Sequence, residues 1–253
     1  MNFDELREFL ELKYRQFNNT RFIENDPIYV PHLFSGKEDI EIAGFLSATI
    51  AWGQRKSIIA NGRKLMRLME DAPHDFLMNA GAKDMDRFND FVHRTFNGRD
   101  CRFFMESLKN IYQNKGGLEK VFDFPKNGSA QGGIINFRKD FLETPHLPRS
   151  EKHIANSAKG ASAKRLNMFL RWMVRKDGSG VDFGIWKEHE PAKLFCPLDV
   201  HTASVARKLR LLERKQNDWK AVEELTANLR KFDQDDPVKY DFALFGLGAF
   251  EKF

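Results

Sequence analysis

Apolar side chains in this chain recur at helical intervals and almost nowhere at the strand interval of two. Ile42, Phe45, Leu46, Thr49 and Ile50 stand at i, i+3, i+4, i+7 and i+8, the stripe that 3.6 residues per turn lays along one face of a helix. Leu6, Phe9, Leu10 and Phe17 mark a first helix, and Ile58, Gly62, Leu65 and Met69 resume the pattern after a break near Gly53. Phe104, Leu108 and Ile111 predict a helix from about Cys101 to Gln113. Trp219, Val222, Leu225, Leu229 and Phe232 predict one near the end. Asp236-Pro237 reads as a further helix start, because Asp can cap free N–H groups and Pro at the first helical position gives up no bond. Val238, Phe242 and Phe245 then share a face. With no run of alternating strands, the fold class is all-α.

Other classes drop out on composition and motif. Hydrophobic residues make up 42% of the 253, enough for a packed core in one large domain or two fused small ones. Two cysteines, Cys101 and Cys196, cannot build a disulfide scaffold, a four-Cys zinc site or a four-Cys iron–sulfur cluster, so a reduced, cytoplasmic chain is expected. His189, Cys196 and His201 fit no zinc spacing, so no metal is expected. The apolar run Ile42–Trp52 is broken by Gly44, Ser47 and Thr49 and is too short for a bilayer span. The charged, helix-patterned N-terminus is unlike a signal peptide. There is no GxxxxGK[ST], and Gly246-Leu247-Gly248 runs into Glu251 where a third glycine belongs. Residues 19–36, 126–133 (KNGSAQGG) and 177–180 (DGSG) read as loops, the second being the most flexible-looking, and no internal repeat is present.

Charge is spread unevenly. The net of +5 decides little by itself. Residues 1–45, however, carry nine acids against five bases, whereas 151–175 carry six bases (Lys152, Lys159, Lys164, Arg165, Arg171, Arg175) against Glu151 alone. Residues 205–215 add five bases against Glu213.

The basic segment holds the best motif. In 154–175 (IANSAKGASAKRLNMFLRWMVR) a short apolar stretch leads into Ser157-Ala158-Lys159-Gly160-Ala161, a tight turn of small residues. Ser162 can cap a helix whose apolar face is Leu166, Phe169, Leu170 and Met173. Such a hairpin leaves N–H groups free at the start of the second helix, where the dipole favours an anion, typically a phosphate. Lys159 and Arg165 add charge around it. An ordinary helical hairpin with a solvated basic face has the same pattern. Lys164 lies in the first turn, where the helix N-terminus disfavours an ammonium, and a neutral amine is a nucleophile that can form a Schiff base. The common alternative is a solvent-exposed lysine. In 196–212 (CPLDVHTASVARKLRLL) Asp199 stands at an N-cap position. A cap stabilises a helix by about 1 kcal/mol and needs no catalytic explanation. A carboxylate there can also face Lys164 and stabilise a cationic sugar, or take a proton from the attacking amine.

Gly160 to Arg171, followed by Leu198-Asp199-Val200-His201, resembles the helix-hairpin-helix DNA glycosylases of base-excision repair. In that superfamily a G-x-G-x-K hairpin grips a phosphate and presents a nucleophilic lysine, and a later L/V-D-x-H presents the catalytic aspartate. Gly160 matches the first hairpin glycine, Lys164 the nucleophile, Asp199 the acid and His201 the following histidine. Phe169-Leu170-Arg171 resembles the run after the lysine in archaeal-type 8-oxoguanine glycosylases. Leu46-Ser47-Ala48 followed by Gln54, Arg55 and Lys56 resembles the helix that lines the base pocket. At full length the chain resembles a narrower uncharacterised bacterial family, itself grouped with these glycosylases.

The resemblance implies one glycosylase-like unit over 1–253, with two helical subdomains and a cleft between them. Residues 40–148 would form a central subdomain and 149–215 the hairpin and catalytic segment, with 1–39 and 216–253 packing on the latter half. It implies a DNA N-glycosylase with AP-lyase activity that flips a damaged base, such as an oxidised purine, out of the duplex. Lys164 and Asp199 would be catalytic. Lys159, Gly160, Ser162, Arg165 and His201 would hold DNA. Trp52, Gln54, Phe245 and Phe250 would form the base pocket, with core packing as the alternative for the aromatics. Double-stranded DNA would be the partner of a monomeric, nucleoid-associated protein that needs no cofactor. The departures are Ser162 in place of the second hairpin glycine, an interval of 35 residues between Lys164 and Asp199, and an apparent insertion at 181–195. The rivals are a non-catalytic nucleic-acid-binding hairpin module and a fold relative acting on another substrate.

Overall fold

The structure, a computed structural model, describes residues 1–124 and 128–253. Among the described residues the α-helices are α1 (Phe3–Phe17), α2 (Lys37–Thr49), α3 (Arg55–Leu68), α4 (Pro73–Asn79), α5 (Gly98–Asn114), α6 (Leu118–Val121), α7 (Ala130–Phe141), α8 (Lys164–Val174), α9 (Val200–Lys208), α10 (Trp219–Arg230) and α11 (Tyr240–Ala249). β1 (Val92–His93) and β2 (Phe96–Asn97) make one short antiparallel pair, with His93 opposite Phe96. Helices take 62% and strands 2% of the chain, so the protein is mostly helical. No helix among the described residues is long and apolar enough to cross a membrane. The chain divides into two compact units, one of residues 24–124 with 132–155, the other of 1–23 with 128–131 and 156–253.

The unit that starts at residue 24 is built on phenylalanine. Phe45 of α2 lies 6.0 Å from Phe104 of α5 and 5.3 Å from Phe137 of α7, and Phe104 lies 4.8 Å from Phe141. All four are fully buried, each stabilising the fold by about 1.5–3 kcal/mol over the exposed state. The stripe expected over 42–50 belongs to a helix with no solvent face, since every residue from Ile40 to Thr49 is buried. Residues 24–39 group with this unit because Ile28 and Val30 are fully buried in it, with Val30 against Gly62 of α3. The loop expected at 126–133 ends earlier. Residues 125–127 lie outside the described residues, and α7 already starts at Ala130.

α5 begins with a reciprocal cap. The Asp100 N–H donates to Asn97 Oδ1 and the Asn97 N–H to Asp100 Oδ2. At Gly98, between them, a Cβ would stand 1.9 Å from the Asn89 carbonyl oxygen and 2.7 Å from its Cα. That neighbour is backbone and cannot swing aside. Gly98→Ala is therefore expected to destabilise the protein by about 1–3 kcal/mol or more. Calorimetry should show the melting point falling by several degrees; an unchanged melting point would refute the close approach.

In the other unit α11 packs on α1 and α9. A Cβ on Gly246 would meet the Phe17 ring at 2.2 Å, and one on Gly248 would meet His201 Cβ at 3.0 Å, so both glycines let helices approach closely. The 181–195 segment covers the end of α8. The N–H groups of Phe183 and Trp186 donate to the carbonyls of Trp172 and Met173, which the helix itself leaves unpaired. Trp186 is fully buried, edge-on to Phe169 at 5.4 Å. Asp236 does not cap the last helix as expected. Pro237–Lys239 form a 3₁₀ turn ahead of α11, and Asp236 Oδ2 accepts from Arg175 Nε instead.

Candidate active site

The hairpin starts at the 3₁₀ turn Ser157–Lys159, capped by Asn156, whose Oδ1 accepts from the Lys159 N–H. Gly160 follows with φ +87°, in the left-handed region. A Cβ there would meet nothing within 4 Å, so glycine is favoured at this position by torsion and not by lack of room. The Gly160 carbonyl accepts from the Trp219 N–H, and Ala161 bridges to Asp218. The start of α10 thus pins the turn. Lys159 is exposed beside it.

Ser162 does not cap α8. The N-cap is Ala163, itself left-handed at φ +48° and without a side-chain cap bond. The Ser162 carbonyl accepts instead from Asn167 Nδ2. No acceptor among the described residues takes the N–H groups of Ser162, Ala163 or Lys164. These are orphan donors at the positive end of a helix, the arrangement that binds anions. Arg165 is half-buried, and burial pushes its guanidinium down to about 10, so it remains a cation at neutral pH.

Lys164 is the first residue of α8 and Asp199 the N-cap of α9. The structure brings them together: Nζ lies 3.9 Å from Asp199 Oδ2, and the side chains are 25% and 20% exposed. Lys164 Nζ also lies 3.6 Å from Met168 Sδ. The two oxygens of Asp199 face different ways. Oδ1 accepts from the N–H groups of His201 and Thr202, each at 2.9 Å, and Oδ2 is left toward the amine. Asp199 therefore caps α9 through one oxygen and leaves the other facing the amine of Lys164. His201 is exposed and contributes its N–H to that cap.

Reading the sequence missed what lies beneath the pair. Arg171 of α8 donates through Nη1 to Asp241 Oδ2 of α11 and through Nε to Asp182 Oδ1 at 3.3 Å, with its guanidinium 4.2 Å above the Phe242 ring. Burial, with Asp199 nearby, pushes the Asp241 carboxyl up to about 6, against the pull of Arg171 and Lys164. Cys196 Sγ stands 4.0 Å from Asp241 Oδ1, and burial holds its thiol well above the usual range, so it is no nucleophile at neutral pH. Among the described residues no group of three or more His, Cys, Asp or Glu side chains could hold a metal ion. The one sequence signal for the buried network was the basic run that contains Arg171 and Arg175.

The expected base-pocket residues fall in both units. Trp52 and Gln54 sit in the α2–α3 connection. Trp52 is half-buried, edge-on to His93 at 5.0 Å and stacked on His153 at 6.0 Å, while Gln54 is exposed at the N-cap of α3. Phe245 and Phe250 belong to the other unit and pack edge-on at 6.2 Å, with Phe250 also stacked on Phe17 and 47% exposed. In comparisons with known proteins, a family model described as a protein of unknown function (DUF2400) matches residues 26–250. No curated protein and no solved structure matches the chain.

Proposed function

We propose that this chain, which belongs to the DUF2400 family, is a DNA N-glycosylase with AP-lyase activity acting on a damaged base, an oxidised purine first among candidates. The observation that carries this reading is the approach of Lys164 Nζ to Asp199 Oδ2 at 3.9 Å, beside a hairpin with orphan N–H donors. An amine and a carboxylate at that separation can touch one sugar ring. The hairpin N–H groups, Lys159 and Arg165 hold a backbone phosphate, and the resemblance in the Gly160–Arg171 and Leu198–His201 segments points to the same chemistry.

Lys164, as the neutral amine, forms a bond from Nζ to C1′ while the glycosidic bond breaks. The base leaves with the bonding pair and picks up a proton. Asp199 stabilises the positive charge that develops on the sugar and accepts a proton from the attacking nitrogen. Ring opening gives the Schiff base, loss of a C2′ proton expels the 3′ phosphate, and water then releases the lysine. The protein works in the cytoplasm on duplex DNA and needs no cofactor for these steps.

The test is borohydride trapping. The protein is mixed with duplexes carrying 8-oxoguanine, uracil, alkylated purines or an abasic site, and the reductant is added. A covalent protein–DNA adduct is expected on at least one lesion. No adduct and no base release across the panel would overturn the proposal. Duplex binding that falls steeply with salt, without an adduct, would instead favour a backbone-binding module, which uses the same hairpin donors. No DNA affinity at physiological salt would favour another substrate.

A further inference from the structure

α3 carries a row of cations that the fold does not use. Between Glu41 and Glu70 the chain has no acidic residue, yet α3 holds Arg55, Lys56, Arg63, Lys64 and Arg67. Its buried face is Ile58, Gly62, Leu65 and Met66. Lys56, Arg63 and Arg67 follow at intervals of seven and four, so they return to one line on the opposite face, over about 16 Å of helix. All three are exposed. Arg94, exposed at the β1–β2 turn with φ +55°, extends the row past the start of the helix: its Nη1 lies 2.9 Å from the point that a Cβ on Gly53 would occupy. Among the described residues no carboxylate, ring or hydrogen-bond acceptor engages the side chains of Lys56, Arg63, Arg67 or Arg94. Other surface cations of the same unit are paired. Arg87 holds Glu70, Arg102 holds Asp86 and Glu106, and Lys115 holds Asp140 and Glu143.

The row also works against its own helix. Lys56 stands in the first turn, at the positive end of the dipole, and Arg63 and Arg67 are like charges four residues apart. No acid in α3 offsets either placement. Cations that destabilise their helix and pair with nothing in the fold are accounted for by an anion from outside. No large apolar side chain of α3 is exposed beside them, so the face lacks the anchors that seat a helix in a lipid surface. A duplex offers one phosphate charge per ~1.7 Å of its axis and suits a long cationic row without apolar contacts. We propose that the exposed face of α3, with Arg94, binds the phosphate backbone of duplex DNA, as a contact built from residues other than those of the hairpin. The choice of DNA rests on the proposed function, whereas the contact itself needs neither Lys164 nor Asp199. Arg63 and Arg67 present forked N–H donors to phosphate oxygens, and Lys56 a point charge.

Fluorescence anisotropy with an undamaged duplex, over salt from ~50 to ~200 mM, tests the contact. Each phosphate contact adds about −0.9 to the slope of log K against log salt. In Lys56→Gln/Arg63→Gln/Arg67→Gln the slope is expected to become shallower by about 2–3, with weaker binding on every sequence. Glutamine is a comparable helix former and the sites are exposed, so the melting point should hold. Lys56→Arg/Arg63→Lys/Arg67→Lys should keep the wild-type slope. Lys187→Gln/Lys220→Gln/Lys231→Gln removes the same charge from exposed positions of the other unit and should also keep it. An unmoved slope in the first variant, an equal loss in the third, or a wild type that binds no duplex would overturn the inference. So would an effect of the first variant on binding to phosphatidylserine vesicles, on binding to an RNA duplex or on self-association of the chain, with DNA binding untouched. The first variant leaves Lys164 in place, so the borohydride adduct should still form at saturating duplex. A slope that depends on α3 without any adduct would sink the glycosylase chemistry and leave the contact standing. An adduct with an unmoved slope would do the reverse.

Discussion

Lys164→Gln is expected to abolish the borohydride adduct and to lower base release by roughly 10²–10⁴-fold. Glutamine has no amine to form a Schiff base, yet it is a comparable helix former, so α8 should persist. Duplex binding should survive nearly unchanged, since the hairpin N–H groups, Lys159 and Arg165 remain. Asp199→Asn sharpens the test. Asn caps a helix about as well as Asp, so the change in stability should stay within a few tenths of a kcal/mol. The negative charge opposite Lys164 is lost, and base release should fall by about 10²–10³-fold. Trapping gels, single-turnover excision and thermal melts read these effects. An adduct that persists in Lys164→Gln would mean that a different amine does the chemistry.

Arg175→Met is the second large effect, and it acts on folding. Arg175 is 1% exposed and reaches Asp236 Oδ2 at 2.8 Å, Asp182 Oδ2 at 3.0 Å, Asp177, and the Tyr14 hydroxyl at 2.7 Å. Removing it leaves, among the described residues, Asp182 paired with Arg171 and Asp236 with no cation in contact. Breaking a buried ion pair from one side costs about 3–5 kcal/mol, which in a chain of this size lowers the melting point by roughly 10 °C. Acid should shrink the deficit. Burial already raises the Asp182 and Asp236 carboxyls above their usual value even with Arg175 present, and its removal raises them further. For a carboxyl with a raised folded-state pKa, the folded state binds the proton more tightly. The penalty is therefore absent below the unfolded-state pKa and appears as pH rises through the folded one. Calorimetry near neutral pH and near pH ~5 should show the gap between variant and wild type narrowing in acid. A gap of under ~2 °C at neutral pH would mean that the network adds little net stability.

The helices were legible where burial is one-sided or the apolar run is long. α3, α5 and α10 follow from their spacing, because a residue three or four places on returns to the same face. α7 was not legible. Gly132 and Gly133 make its start look like a loop, and the helix is held by Ile134, Phe137 and Phe141, all fully buried in contacts remote in sequence. β1 and β2 are two residues each, too short to show alternation. The two expected caps failed for different reasons, one tertiary and one local. Asp236 was taken by Arg175, and at Ser162 the chain turns one residue later, at Ala163.

Lys164 and Asp199 could be named from the sequence because a hairpin glycine and an LDxH run flag them by type and order. Asp241 carries no local signal. Its partner Arg171 is 70 residues away, and only the packing of α11 brings them together. The 181–195 segment, which looked like an insertion, supplies Asp182 to the same network and Trp186 to the end of α8.

The divided carboxylate of Asp199 links local order to reactivity. One oxygen holds down the first turn of α9 while the other is aimed at Lys164, so a single side-chain rotamer serves both, and its entropy is lost at folding rather than at the moment of reaction. When that turn frays, the aim is lost with the cap. Helix ends open far more readily than cores. If Lys164 and Asp199 act as proposed, warming should silence the centre before the phenylalanine core of the other unit melts, and a substrate that braces the start of α9 would extend the temperature range of that activity.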